Sequence, residues 1–282
     1  MMKKLFFLMT LCITLVWYSH VEAMQIRPIC GYGLGIGAIN VYLGDGGVGG
    51  LSADTLIDSS GRTTKNENVY YSGGAGLHMG LGILLPLNRN LGVELGGGMV
   101  MGSEKYLVSM NDASTTNSVR WSADSSYIPI ELTVKLSTEI GRFVPYVGFG
   151  PTLAAGGKTV VNGSYRDSTD NLTEMTWEYT YKTTLGINAQ LGADFKITDS
   201  ISFFGGLVLR SLSLKLEKGK KTKHTLNGAD QMGSQTTSQK EVEFVENYVQ
   251  PTTVNPNEAA KANTFPMPFY SLSFNAGIAL SF

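Results

Sequence analysis

The sequence predicts an all-β protein, an eight-stranded antiparallel β-barrel that crosses a membrane. Apolar residues alternate with small or polar residues along many segments, which is the pattern of strands with one apolar face. The chain has 282 residues, 34 of them glycine, and a net charge of −1. Its mean hydropathy is +0.01, as expected where lipid-facing and interior residues alternate. Short turns also alternate with long polar connections, which is the loop pattern of such barrels.

The first segment has the features of a secretory signal. Lys3 and Lys4 precede an apolar run over residues 5–18, and Val21 and Ala23 are small residues at the positions that a signal peptidase inspects. The run is shorter than the roughly 20 residues that a membrane-spanning helix needs. We therefore expect a signal peptide over residues 1–23, cleaved after Ala23, and a barrel domain over residues 24–282.

Six segments alternate cleanly enough to be predicted as strands. In the fourth of them, Ile128 and Ile130 alternate with Pro129 and Glu131. In the first three, glycine fills most positions between the apolar residues. The six predicted strands cover residues 32–38, 71–83, 91–101, 128–136, 185–197 and 270–282.

Two further strands are less regular. The fifth strand, over residues 144–153, contains Pro145 and Pro151, which cannot donate to the hydrogen-bond ladder. The seventh begins at Ile201, and its alternation changes phase at Leu212. A similar change follows Ala38. Phase changes of this kind indicate a bulge or a strand that leaves the bilayer.

The connections fix the strand number. Short turns are predicted over residues 86–90, 137–141 and 198–200, and long polar loops over residues 44–68, 102–126, 155–178 and 217–266. Three turns and four loops require eight strands, with short periplasmic turns and four long extracellular loops. A soluble barrel with an inward apolar face is the alternative. It is disfavoured because the opposite face, rich in glycine, serine and threonine, would cover a water-exposed exterior poorly.

The last strand carries a further signal. Its apolar side resembles the C-terminal assembly signal of bacterial outer-membrane proteins, which ends in phenylalanine. Residues 127–132 and 144–148, with this strand, resemble the OmpA/OmpX-type outer-membrane β-barrel family, often labelled porin-family proteins, in the barrel domain only. The resemblance implies export through the periplasm to the outer membrane, where lipid surrounds the barrel and the barrel-assembly machinery reads the last strand. The residues of the expected assembly signal are Tyr270, Leu272, Phe274, Ile278, Leu280 and Phe282.

The opposite parity of the strands predicts the interior. An eight-stranded barrel is just wide enough for side chains to fill, so we expect a network of mutually satisfied polar groups. Within it, Glu94 and Lys135 lie on neighbouring strands at heights that allow pairing. A thin water path is the alternative, because inward glycines leave volume unfilled. The predicted lumen network consists of His78, Glu94, Glu131, Lys135, Asn188, Gln190, Asp194, Lys196 and Arg210.

These features favour a structural or surface-interaction role carried by the extracellular loops, without catalysis. The alternatives are a narrow pore for small solutes and a lipid-modifying enzyme. After cleavage the histidines are His78 and His224, and neither adjoins a nucleophile motif. No metal-ligand spacing or phosphate-binding glycine loop is present, so we expect no cofactor. The near-neutral charge predicts no binding to nucleic acid.

A basic cluster opens the last predicted loop. It contains Lys218, Lys220, Lys221 and Lys223. Such a cluster is often a solvated, mobile loop. It also suits contact with the phosphate groups of lipopolysaccharide, or with an acidic host or matrix polymer.

Overall fold

The computed structural model describes residues 23–36, 53–57, 60, 63–68, 71–112, 117–249 and 255–282. The predicted signal peptide up to residue 22, the phase change after Ala38 and part of the predicted loop over residues 44–68 lie outside the described residues. Within the described ranges, no helix is long and apolar enough to cross a membrane.

Eight strands form a closed antiparallel ring, as the sequence predicts. Strands are numbered along the whole chain, so the ring takes eight of the seventeen strands in the described residues. The ring strands are β1 (Gln25–Gly35), β4 (Gly76–Asn88), β5 (Leu91–Gly102), β7 (Asn117–Ser137), β8 (Phe143–Arg166), β10 (Thr184–Lys196), β11 (Ile201–Ser211) and β17 (Ser271–Ser281). Each pairs with the next, and β1 pairs with β17 to close the ring, with Gln25 opposite Ser281.

The outer face of the ring is an apolar belt. Alternate residues on every ring strand point away from the lumen, and Leu185, the most exposed of them, has 68% of its surface accessible. In β17, Phe274, Ile278 and Leu280 lie on this face, whereas Ser273 faces inward and is buried. The side that the sequence assigns to lipid is therefore confirmed. The most exposed apolar residue of each strand, in chain order, is Leu34, Met79, Leu95, Leu136, Phe149, Leu185, Phe203 and Phe274.

The described parts of the long connections contain much strand where the sequence predicts loops, and this corrects the prediction. β7 and β8 continue far past the apolar belt, and two of the additional strands pair directly with them to extend the sheet on the extracellular side. Alternation persists there, but many of its outward residues are charged or polar, such as Arg120, Lys158 and Asn162, so the sequence pattern resembles that of polar loops. The additional strands are β2 (Ala53–Ile57), β3 (Thr63–Asn68), β6 (Lys105–Asp112), β9 (Leu172–Tyr181), β12 (Ser213–Leu226), β13 (Ala229–Asp230), β14 (Glu241–Val245), β15 (Ala260–Asn263) and β16 (Pro266–Pro268).

The phase change at Leu212 marks the upper end of the lipid belt. β11 ends at Ser211, and Leu212, Leu214 and Leu216 then point inward and are almost completely buried. Tyr71 also points inward above the belt. The sequence places it on the lipid face of the second strand, but β4 begins only at Gly76, and Tyr71 is 1% exposed in the core. Apolar side chains at this level therefore turn toward the lumen.

The assignment of faces predicts a labelling pattern. In a Cys30→Ser background, cysteine at Leu191 or Ile130 should react with lipid-soluble thiol reagents and resist aqueous thiol reagents, because both side chains are exposed on the lipid belt. Cysteine at Glu131, which is buried in the lumen, is the matched control on the same strand as Ile130 and should resist the lipid-soluble reagent. Inverted labelling of Ile130→Cys and Glu131→Cys would mean that the barrel is inside out.

Candidate functional site

The lower charged layer of the lumen lies near the periplasmic mouth and is centred on Arg27. Its Nη1 and Nη2 donate to the two carboxylate oxygens of Asp194 at 2.7 and 2.8 Å. Arg27 Nε lies 3.3 Å from Glu94 Oε2, and Lys135 Nζ donates to the same oxygen at 2.7 Å. The expected contact between Glu94 and Lys135 is therefore present. Two cations and two carboxylates neutralise each other in this layer.

Two aromatic rings lie against these charges. The Arg27 guanidinium lies 4.2 Å from the centre of the Phe204 ring, and Lys135 Nζ lies 4.3 Å from the centre of the Tyr146 ring. Both cations thus gain cation–π contacts in a site with little access to water. The rings and the ion pairs lie together in the barrel interior at this height.

Arg27 is the lumen residue that the sequence pattern did not predict. It precedes the predicted start of the first strand, yet it is 1% exposed in the lumen. The signal was available, because Arg27 shares the parity of Gly31, Gly33 and Gly35. Extending the alternation backward from these glycines would have placed Arg27 on the interior face.

The middle layer is centred on Arg210, which is also 1% exposed. Its Nε donates to Glu131 Oε1 at 2.7 Å and its Nη2 to Oε2 at 3.3 Å. Its Nη1 donates to Ser273 Oγ at 3.0 Å, and His78 Nδ1 lies 3.4 Å from Nη2. The guanidinium from β11 is thus held by side chains of three other strands.

Amide and hydroxyl groups complete the middle layer. Asn188 Nδ2 donates to Thr152 Oγ1 at 3.1 Å, and Thr133 Oγ1 donates to Asn188 Oδ1 at 3.0 Å. Thr152 Oγ1 in turn donates to Glu131 Oε1 at 3.3 Å, and the half-buried Gln190 donates to Thr133. The chain of hydrogen bonds links β7, β8 and β10 across the lumen.

The extracellular half of the interior contains an apolar cluster that the sequence did not predict, and a short chain of buried hydroxyl groups from Tyr71 through Ser125 and Thr159 to Tyr181 runs beside it. Phe269 is 0% exposed and packs edge-on against Tyr127 and Tyr181, with ring centres 5.3 and 5.2 Å apart. Leu212 and Leu214 belong to the same cluster. This apolar cap covers the charged layers from the extracellular side.

The structure corrects the assignment of one lumen residue. Lys196 lies at the periplasmic rim, where its side chain is 41% exposed and its Nζ contacts Glu139 Oε1 at 2.7 Å. It follows the lumen parity of β10, but it is the last residue of that strand, beyond the enclosed section. It therefore belongs to a surface ion pair and not to the lumen network.

The predicted basic cluster lies on a strand rather than in a loop. Lys218, Lys220 and Lys223 are exposed, whereas Lys221 turns to the other face, with Nζ 5.0 Å from the centre of the Trp177 ring. Lys223 pairs with Glu174 at 2.8 Å, and the hydrogen bond lowers the pKa of that carboxyl. Carboxylates on the neighbouring strands therefore interleave with the lysines. The cluster is a mixed-charge surface, and the partners proposed for it stay predictions.

The contact between Lys135 and Glu94 predicts a partial loss of stability. Lys135→Met should lower the free energy of unfolding by roughly 3 kcal/mol, the low end of the cost of breaking a buried pair, because Arg27 still partners Glu94. The double variant Glu94→Gln with Lys135→Met should recover much of this loss. Urea unfolding of the refolded barrel measures both changes. A loss under about 1 kcal/mol in the single variant would indicate hydrated, screened charges.

The ring of eight strands, its apolar belt and its charged lumen define a transmembrane β-barrel. The family model for the outer membrane protein beta-barrel domain matches residues 29–242. The chain belongs to this family, which places it in the bacterial outer membrane. No curated protein matches the chain.

Several solved outer membrane proteins are similar to this chain at low sequence identity. OprG from Pseudomonas aeruginosa is 12% identical, with a TM-score of 0.44, over 94% of this chain and 98% of that one. Outer membrane protein W from E. coli is 13% identical, with a TM-score of 0.33, over 94% and 100% of the two chains. A major outer membrane protein from Thermus thermophilus is 13% identical, with a TM-score of 0.37, over 93% and 100%.

Proposed function

We propose that this protein is a closed barrel that anchors and supports an extracellular β-sheet, with a structural or surface-interaction role and without catalysis. The observation that carries the proposal is the filling of the lumen. Two charged layers, centred on Arg27 and Arg210, are covered by the apolar cap around Phe269. A hydrated path would leave these charges solvated, whereas here they are buried and paired.

The extracellular sheet supports the second half of the proposal. β8 has 24 residues, about twice the length of β10, and it pairs with both β7 and β9 above the belt. Inward residues of this extension, including Val161 and Phe244, join the core around Phe269. A sheet fixed to the barrel by a shared core presents its outward face in a defined orientation, as a binding surface requires.

A narrow pore is the second candidate, and one observation favours it. The periplasmic mouth contains a cavity of about 120 Å³, whose lining includes Arg27, Lys135 and Asp194. The cavity would admit water and small ions from the periplasm. It ends at the Arg27 layer, so a pore would require that layer and the cap to rearrange.

The surroundings of the histidines argue against an enzyme. His78 contacts Arg210 and Asn275, and His224 contacts Gln235. In the described part of the chain, neither has the hydrogen-bonded hydroxyl or carboxylate that a nucleophile–base pair requires. Expression in a host whose lipid A is monitored by mass spectrometry should leave the lipid A mass unchanged.

Solute uptake tests the proposal. Proteoliposomes that contain the refolded protein should not swell in isotonic arabinose or glycine, whereas liposomes with a general porin should swell within seconds. Circular dichroism and heat-modified mobility establish that the same preparation is folded. Swelling comparable to that of the porin control would reject the closed barrel and support the pore.

A further inference from the structure

A short row of polar side chains crosses the outer face of the sheet above the apolar belt. Thr180 of β9 lies opposite Lys158 of β8 and opposite Lys218 of β12. All three side chains are exposed, whereas the adjacent residues Thr159 and Tyr181 are buried. The row therefore points outward, on the side of the barrel that lipid surrounds lower down.

The row lies close above the hydrocarbon. Leu185, the most exposed residue of the belt, is five residues from Thr180 along the same chain. At about 3.3 Å per residue and a tilt near 40°, this separates them by roughly 13 Å along the membrane normal. Lysine side chains lay their stems along apolar surface and keep the ammonium group in the polar layer. The two lysines thus reach the level of the lipid headgroups.

The charges of the row are incompletely neutralised by the protein. Lys215 and Lys223 form ion pairs at 2.8 Å with Glu246 and Glu174. By contrast, Lys158 and Lys218 form no ion pair with any described residue.

Carboxylates are nevertheless close to both lysines. Glu243 lies opposite Lys218 on β14. Burial and the neighbouring Glu104 raise the pKa of Asp124, and the nearby Lys158 opposes this shift. These acidic groups make the surface around the row mixed in charge. The two ammonium groups on either side of the Thr180 hydroxyl nevertheless remain free to bind an anion.

We propose that Lys158, Thr180 and Lys218 bind a phosphate group of lipid A in the outer leaflet. Neighbouring strands are about 4.8 Å apart, so two long side chains that flank one residue can converge on a single phosphate. Lysine binds phosphate as a point charge, and the threonine hydroxyl adds a donor. The continuity of the row with the lipid belt identifies the source of the phosphate as a membrane lipid. The site lies outside the lumen and does not depend on whether the barrel is closed.

Titration of the folded barrel in detergent tests this site. The thermal unfolding midpoint is followed against lipid A, dephosphorylated lipid A and inorganic phosphate. Lys158→Gln with Lys218→Gln is the test variant, and Lys220→Gln with Lys223→Gln is the matched control on the same face, farther from the membrane. Lys158→Arg with Lys218→Arg retains both charges.

Lipid A should raise the midpoint of the wild type, the control and the arginine variant with similar apparent affinity. The glutamine test variant should bind lipid A roughly tenfold more weakly or worse, since each lost charged contact corresponds to about that factor. Dephosphorylated lipid A should bind the wild type and every variant as weakly as lipid A binds the glutamine test variant. Equal affinity in the test and control variants, or equal responses to the two lipids, would overturn the proposal, as would an equal response to inorganic phosphate.

Discussion

Replacing Arg27 with methionine should lower the free energy of unfolding by roughly 3–5 kcal/mol, the cost of breaking a buried ion pair from one side. Arg27 contacts Asp194 through two hydrogen bonds and lies against Glu94 and the Phe204 ring. Its removal leaves Asp194 buried without a cation and opens space beside Phe204. Equilibrium unfolding of the refolded barrel in urea, followed by tryptophan fluorescence, measures the change.

The double variant Arg27→Met with Asp194→Asn is the matched control. It removes both members of the pair, so the layer keeps the neutral contact between Glu94 and Lys135 and much of the stability should return. If Arg27→Met instead unfolds within about 1 kcal/mol of the wild type, the charges are solvated as in a hydrated channel. The proposal of a closed lumen would then be wrong for the layer around Arg27.

Phe269→Ala should cost roughly 3–5 kcal/mol, as for other buried phenylalanines. The ring is fully buried between Tyr127 and Tyr181, and the cavity left by its removal would lie at the centre of the apolar cap. The same urea titration measures the loss. Phe274→Ala, on the lipid face of the next strand, is the control and should cost less, because its ring is more than half exposed to the membrane.

Variants of Phe269 also test the packing of the apolar cap independently of the charged layers. If the cap is dry, Phe269→Leu should be much more stable than Phe269→Ala, because leucine fills most of the volume of the phenylalanine ring. An equal and small loss for Phe269→Ala and Phe274→Ala would mean that the upper lumen is loosely packed and open to water. The cap would then give no reason to consider the barrel closed from the extracellular side.

Much of the fold could be predicted because lipid enforces a strict pattern. Ile128 and Ile130 must face hydrocarbon while Glu131 faces inward, so the period of two is unbroken within the membrane. The pairing of Glu94 with Lys135 followed from the same parity and from their heights above the turns. Eight strands then followed from the alternation of short turns and long connections.

The remaining features lack such a pattern. Above the belt both faces of a strand tolerate polar residues, so the extension of β8 to Arg166 reads as a loop in the sequence. Phe203 and Phe204 are adjacent and identical, yet one faces lipid and the other lies over Arg27. The apolar cap assembles from residues far apart in the chain, such as Tyr71, Tyr181 and Phe269. Only the three-dimensional packing brings these residues together.

Ion conductance across a planar lipid bilayer tests the closed lumen most directly, since ions are the smallest solutes that a pore would pass. The folded protein, inserted at a density confirmed by immunodetection, should produce no discrete current steps in concentrated KCl at voltages where a general porin conducts. Charged layers that remain paired and a cap that remains dry leave no path for ions. Reproducible current steps in the wild type, absent from protein-free bilayers, would contradict the account and identify the barrel as a pore.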